Sequence, residues 1–224
     1  MNGSTVVSHN GYRHIWTMGL TNTSVDTSYM QTWKTMLSYI DTLKLFGATL
    51  KDNCIRTWFY VRDVDTQYGG LVKSRRECFM EQGLTADTHY IASTGIGGTP
   101  ADPKAIIQMG CYAITGFEAE QQRYLYALTH LNKTEEYGVT FERATLMQYG
   151  DRDHIYISGT ASINNKGEVV HVGDVRKQTY RMWENVEKLL EEGGMAFDDI
   201  MQIIVYLRDG ADYKLVQKLS LIHI

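Results

Sequence analysis

Blocks of this sequence occur twice, and a chain that repeats a domain-sized stretch is constrained to fold as two copies of one unit. His14-Ile15-Trp16-Thr17-Met18-Gly19 returns as His154-Ile155-Tyr156-Ile157-Ser158-Gly159, at an offset of 140. Gln31-Thr32 and Gly47 return as Gln178-Thr179 and Gly194, at an offset of 147. Phe59-Tyr60-Val61-Arg62-Asp63 returns as Val205-Tyr206-Leu207-Arg208-Asp209, at 146. The offset drifts where loops differ, notably at Asn164-Asn165-Lys166-Gly167, because loops tolerate insertions that packed elements do not. A length of 224 residues accommodates two small domains. The predicted division is an N-terminal unit over 1–116, a linker over 117–139 and a C-terminal unit over 140–224.

Each copy reads as strand, helix, strand, helix. Trp33, Leu37, Ile40 and Leu43 keep helical spacing in the first copy, and Trp183, Val186 and Leu190 do so in the second. Gly47 and Gly193-Gly194 stand where a left-handed residue would end each helix. The runs 54–61 and 200–207 are rich in β-branched and aromatic residues and predict strands. Tyr68 and Tyr213 are expected to open second helices, and 106–114 to close the first sheet. The second copy has no counterpart of that closing run within the sequence, so its sheet is expected to end on an unpaired apolar edge. The sequence as it stands is expected to be inactive for the same reason.

Composition removes several function classes. A net charge of -4 gives no cationic surface for electrostatic nucleic-acid binding. No apolar run is long enough to span a membrane, and Met1-Asn2-Gly3-Ser4 has no signal-peptide pattern, so the expected location is cytoplasmic. Cys54, Cys78 and Cys111 are odd in number and far apart, which predicts core thiols rather than a disulfide framework. No histidine pair has metal-ligand spacing, so neither a metal nor another cofactor is expected.

The run Ile157-Ser158-Gly159-Thr160, the helix from Gln178-Thr179 to Asn185 and the stretch 199–209 resemble the Rid/YjgF (endoribonuclease L-PSP-like) family. That resemblance implies an α+β fold in which two helices pack on one mixed sheet, a chorismate mutase-like arrangement assembled as a homotrimer. A narrower resemblance is to chorismatases, which carry two such domains in tandem. It rests on Tyr137-Gly138, Phe141-Glu142-Arg143-Ala144, the run Ser158-Gly159-Thr160-Ala161-Ser162-Ile163, and His171-Val172-Gly173-Asp174 with Gln178. The first half also follows that layout in Trp58 to Asp63, Tyr68, Arg75-Arg76 and Ser93-Thr94-Gly95-Ile96-Gly97.

The resemblance implies an enzyme acting on a small carboxylated metabolite, with chorismatase-like hydrolysis or elimination as the specific expectation. An enamine or imine deaminase is the first alternative, and a non-catalytic ligand-binding or assembly module the second. Rid deaminases grip a substrate carboxylate with an arginine on a late strand, where this sequence has Ala92. The expected substrate-binding residues are Arg75, Arg76, Tyr90, Ser158, Gly159, Thr160, Ala161 and Ser162. Enol-ether cleavage needs a proton donor, and the resemblance places that general acid on a strand after the second copy's last helix. The glycine-rich run 94–98 is either a turn or a cradle for an anion, and His171 either orders its turn or touches substrate.

Overall fold

A computed structural model describes residues 3–223, apart from the side chains of Tyr137 and of 221–223. The first unit begins with β1 (Ser4–His9) and β2 (Tyr12–Leu20), a hairpin turned by Asn10-Gly11 with both residues left-handed. Helix α1 (Ser28–Lys44) follows, started by Thr27, whose hydroxyl accepts from the Met30 N–H at 3.2 Å. A short helix α2 (Leu50–Asn53) leads into β3 (Cys54–Val61), then α3 (Val64–Glu81), β4 (Ala92–Gly97) and β5 (Ile107–Thr115). The sheet order is β1-β2-β5-β3-β4, with β3 and β4 parallel and every other pair antiparallel. Both long helices cover one face, over a core that includes Ile15, Tyr39, Leu43, Phe59, Leu71, Phe79 and Met109. They meet so closely at Gly70 that a Cβ there would lie 2.1 Å from the Ser28 hydroxyl.

The second unit holds β6 (Gln122–Leu125), β7 (Ala144–Gln148) and β8 (Asp153–Ile157) in an antiparallel sheet of that order. Helix α4 (Val175–Glu192) packs on it and α5 (Tyr213–His223) packs on α4. The fold is thus α+β, with one unit repeated, and the repeat is visible at single-residue register. Val7 faces His14 across the first hairpin, and Met147 faces His154 across β7 and β8. Every other pair in the second hairpin matches the first at the same offset of 140. Residues 122–125, within the stretch expected to link the units, add β6 to the second sheet.

Several local expectations are corrected. The run 200–207 forms no strand, and Met201 is 96% exposed. A strand needs partners for its backbone groups: β3 is bonded on both sides, by β5 and β4, whereas among the described residues no strand is ladder-bonded to 200–207. The run expected to close the first sheet is β5, which does so from the middle, between β2 and β3. The buried stripe of α1 runs through Met36, Tyr39, Ile40 and Leu43, leaving Leu37 38% exposed. Polar Gln31, Thr32 and Thr35 share that stripe, so the apolar pattern alone misplaced its phase. Helix α3 begins at Val64, and Tyr68 lies in its second turn. Both helix-ending glycines hold as expected, with Gly47 at φ 68° and Gly194 at φ 75°.

Candidate functional site

The two units join along the outer edge of β4. Ala92 bridges to Glu142 in parallel fashion, and the Glu142 N–H donates to the Ile91 carbonyl at 3.2 Å. The Gly159 N–H donates to the Ser93 carbonyl at 3.1 Å, and the Ser93 N–H donates to the Ser158 hydroxyl at 2.8 Å. That hydroxyl donates in turn to the Glu142 carbonyl. Ser158 is therefore a rivet between β4 and the segment just before β7, with its one proton already committed.

Ser93 is also where Arg75 arrives. Arg75 is 1% exposed, its Nη1 donates to the Ser93 hydroxyl at 3.3 Å, and its guanidinium lies about 6 Å from the Phe59 and Phe141 rings. The structure thus brings Arg75, Ser158 and Gly159 together on one residue. Arg76 points away, donating to the Gly138 carbonyl at 2.6 Å. Tyr90 stacks on Phe79, and its N–H donates to Glu142 Oε1 at 2.7 Å. Beyond Ile157 the chain leaves the sheet, so 158–162 is a turn-like segment and not a strand. Thr160 bonds back to the Ser158 carbonyl, Ser162 donates to the Val170 carbonyl, and the Ala161 carbonyl accepts from the buried Asn185 amide. These last residues secure the second unit's own loop rather than turning toward Arg75.

The glycine-rich run is strand β4 and not an anion cradle. Gly95 lies under the Tyr68 ring, where a Cβ would come within 2.9 Å of it, and Gly98 lies under Tyr60. His171 is exposed and left-handed at φ 61°, in the turn that delivers Asp174 to cap α4. All three cysteines are buried and free.

Two charged groups absent from the sequence expectations stand out. Glu142 is buried, which holds its carboxyl above the usual carboxylate range, although the Tyr90 N–H partly offsets this. A crevice of about 30 Å³ lies beside it, lined by Thr88, Tyr90, Tyr126, Lys133, Glu135 and Arg143. That is room for a water or two. Arg56 lies on β3, 5% exposed, and its Nη2 donates to the Thr94 hydroxyl. Thr94 in turn packs against Gly159. The signal for Arg56 was one charge inside a strand that otherwise reads as buried throughout. Glu142 carried no signal separable from its motif.

Residues 145–220 match the endoribonuclease L-PSP family. A RutC family protein from Pyrococcus abyssi is 38% identical over 60 residues, covering 26% of this chain and 46% of that protein. The 3-aminoacrylate deaminase RutC of Acinetobacter baylyi is 33% identical over 64 residues, covering 29% of this chain and 51% of that protein. The chain thus spans about half the length of the curated relatives it matches. Among solved structures, a chorismatase crystal structure superposes with a TM-score of 0.76 at 21% identity, over 100% of this chain and 70% of that one. That likeness is one of fold.

Proposed function

We propose, for a chain that is a member of the Rid/YjgF superfamily and resembles chorismatases, an enzyme acting on a small carboxylated metabolite, with chorismate as substrate. The observation that carries the reading is that the likeness to a chorismatase extends over 100% of this chain, both units included. The seam supplies chemistry suited to such a substrate. Its guanidinium groups favour a carboxylate in bidentate geometry, and the resemblance places the general acid on a strand after α5. Protonating an enol ether is the step that lets water or elimination release pyruvate from the ring. Assembly as a homotrimer and a cytoplasmic location belong to the same reading.

A second reading is favoured by the match to a 3-aminoacrylate deaminase. The test is to incubate the full-length protein, carrying the strand that the resemblance places after α5, with chorismate while following its loss and pyruvate release, and separately with 3-aminoacrylate while following ammonia. Chorismate loss with stoichiometric pyruvate is the expected result. Ammonia release with chorismate untouched would replace it with the deaminase, and no turnover of either would leave a binding module.

A further inference from the structure

Strand β3 reads Cys-Ile-Arg-Thr-Trp-Phe-Tyr-Val, and Arg56 is its only charged residue. Phe59 and Val61 face the helices, so Arg56, Trp58 and Tyr60 occupy the opposite, helix-free face. The Arg56 guanidinium lies 4.9 Å over the Trp58 ring. Its Nη1 donates to the Thr57 carbonyl at 2.9 Å and its Nη2 to the Thr94 hydroxyl, both uncharged acceptors. A guanidinium carries five N–H donors, and these bonds use two. Among the described residues it forms no ion pair, and the groups that act on its charge are Tyr206, Tyr60 and Cys54. Burial consequently pulls its pKa down to about 9.

Buried charges are normally paired, because desolvating them alone is costly. The partners Arg56 has are a carbonyl, a hydroxyl and a ring, none of them anionic. The neighbourhood also has a solvent-facing side. Tyr206 is 41% exposed, its hydroxyl is 3.5 Å from that of Tyr60, and it belongs to the run 200–207 that has no ladder hydrogen bonds to break.

We propose that Arg56 binds the carboxylate of a small acid with a flat body, held against the guanidinium between the Tyr60 and Tyr206 rings. A single cation with hydroxyl neighbours matches one negative charge, and the planar fork matches a carboxylate edge. Aromatic walls favour a flat body over a branched one. The ligand meets the seam through Thr94, which joins Arg56 to Gly159. This deepens the reading of the seam as a carboxylate site and rests on it for the kind of ligand.

The experiment titrates the full chain with benzoate and with its neutral counterpart benzamide by calorimetry, for wild type, Arg56→Lys and Arg56→Met. Benzoate binds saturably to wild type and benzamide does not. Arg56→Lys weakens benzoate at least tenfold, because an ammonium has no planar fork, and Arg56→Met abolishes it. Arginine side-chain NMR of the wild type, in which the Arg56 Nε–H signal shifts on benzoate saturation, decides the matter if the variants do not fold. The proposal is overturned if benzoate does not bind, if benzamide binds equally, if Arg56→Met keeps wild-type affinity, or if that signal stays fixed at saturation. Turnover is scored separately: benzoate bound through Arg56 without chorismate loss defeats only the chorismatase reading. Chorismate loss with benzoate binding independent of Arg56 defeats only this one.

Discussion

Glu142 and Ser158 show how single residues hold the seam, and each makes a separable prediction. A carboxyl whose folded pKa lies above its unfolded value binds protons more tightly in the native state. Stability is then fully present below the unfolded value and is lost as pH rises through the folded one. Glu142 is in that position because of burial. Glu142→Gln keeps an acceptor for the Tyr90 N–H and removes the charge. The expected outcome is unfolding stability equal to or above wild type at neutral pH, with a weaker decline between pH 4.5 and neutrality, measured by urea melts across that range. A steeper decline in the variant would contradict the assignment. Ser158→Ala leaves the Ser93 N–H without its acceptor, a buried loss of about 1–3 kcal/mol, read from the same melts. Neither role was legible beforehand. Ser158 was expected to line a cleft, and only the contact with β4, distant in sequence, shows its hydroxyl already committed.

At the scale of elements, the local patterns were legible and the long-range ones were not. Apolar spacing located α1 and α4, and left-handed Gly47 and Gly194 ended them where expected. The hairpin repeat at an offset of 140 was readable because register depends on residues close in sequence. The run 200–207 misled because β propensity reports fitness for a sheet surface, not the presence of a partner strand. The phase of α1 was missed because its buried stripe carries Gln31, whose amide bonds the Val25 and Lys104 carbonyls and whose carbonyl accepts from Ile106. The packing of α1 against α3 makes a firm prediction. Gly70→Ala would place its Cβ 2.8 Å from the Tyr29 backbone nitrogen as well as against Ser28. Backbone cannot step aside as a side chain can, so the helices must separate. Overpacking of this kind costs about 1–3 kcal/mol, and an unchanged denaturation midpoint would show that the helices slide freely.

At the scale of the molecule, a hydrogen-bonded chain of aromatic groups spans the units on the helix-free face. Tyr112 and Ile55 of the first unit pack with Met147 and Tyr149 of the second. Tyr156 donates to the Tyr112 hydroxyl at 3.3 Å. A hydroxyl has one proton. With that proton spent, His154 Nδ1 donates to Tyr156 across 3.2 Å, and Tyr112 has its own proton for His14 Nδ1 at 2.6 Å or the Tyr149 hydroxyl at 3.5 Å. The shorter of the two contacts is the one to His14, whose neutral form can accept that proton. Burial lowers its pKa, and Arg152, His154 and His9 act in the same direction. His154 is also lowered, first by burial and then by Arg152, against the opposing charges of Asp151 and Asp153. A histidine depressed in the folded state contributes stability above its unfolded pKa of about 6.5, lost as pH falls through the interval below that value. The prediction is that the contribution of His14 to stability, read as wild type minus His14→Gln, falls on acidification from pH 7.5 to 5.5, with the aromatic seam loosening as His14 charges. His14→Gln keeps an acceptor near Tyr112 but cannot take the proton, so its stability should change less over the same interval. Urea melts of both proteins, with near-ultraviolet circular dichroism to follow the packed tyrosines, make the comparison. Equal pH slopes would show that His14 does not couple the units to acid, whatever the tautomers in the chain.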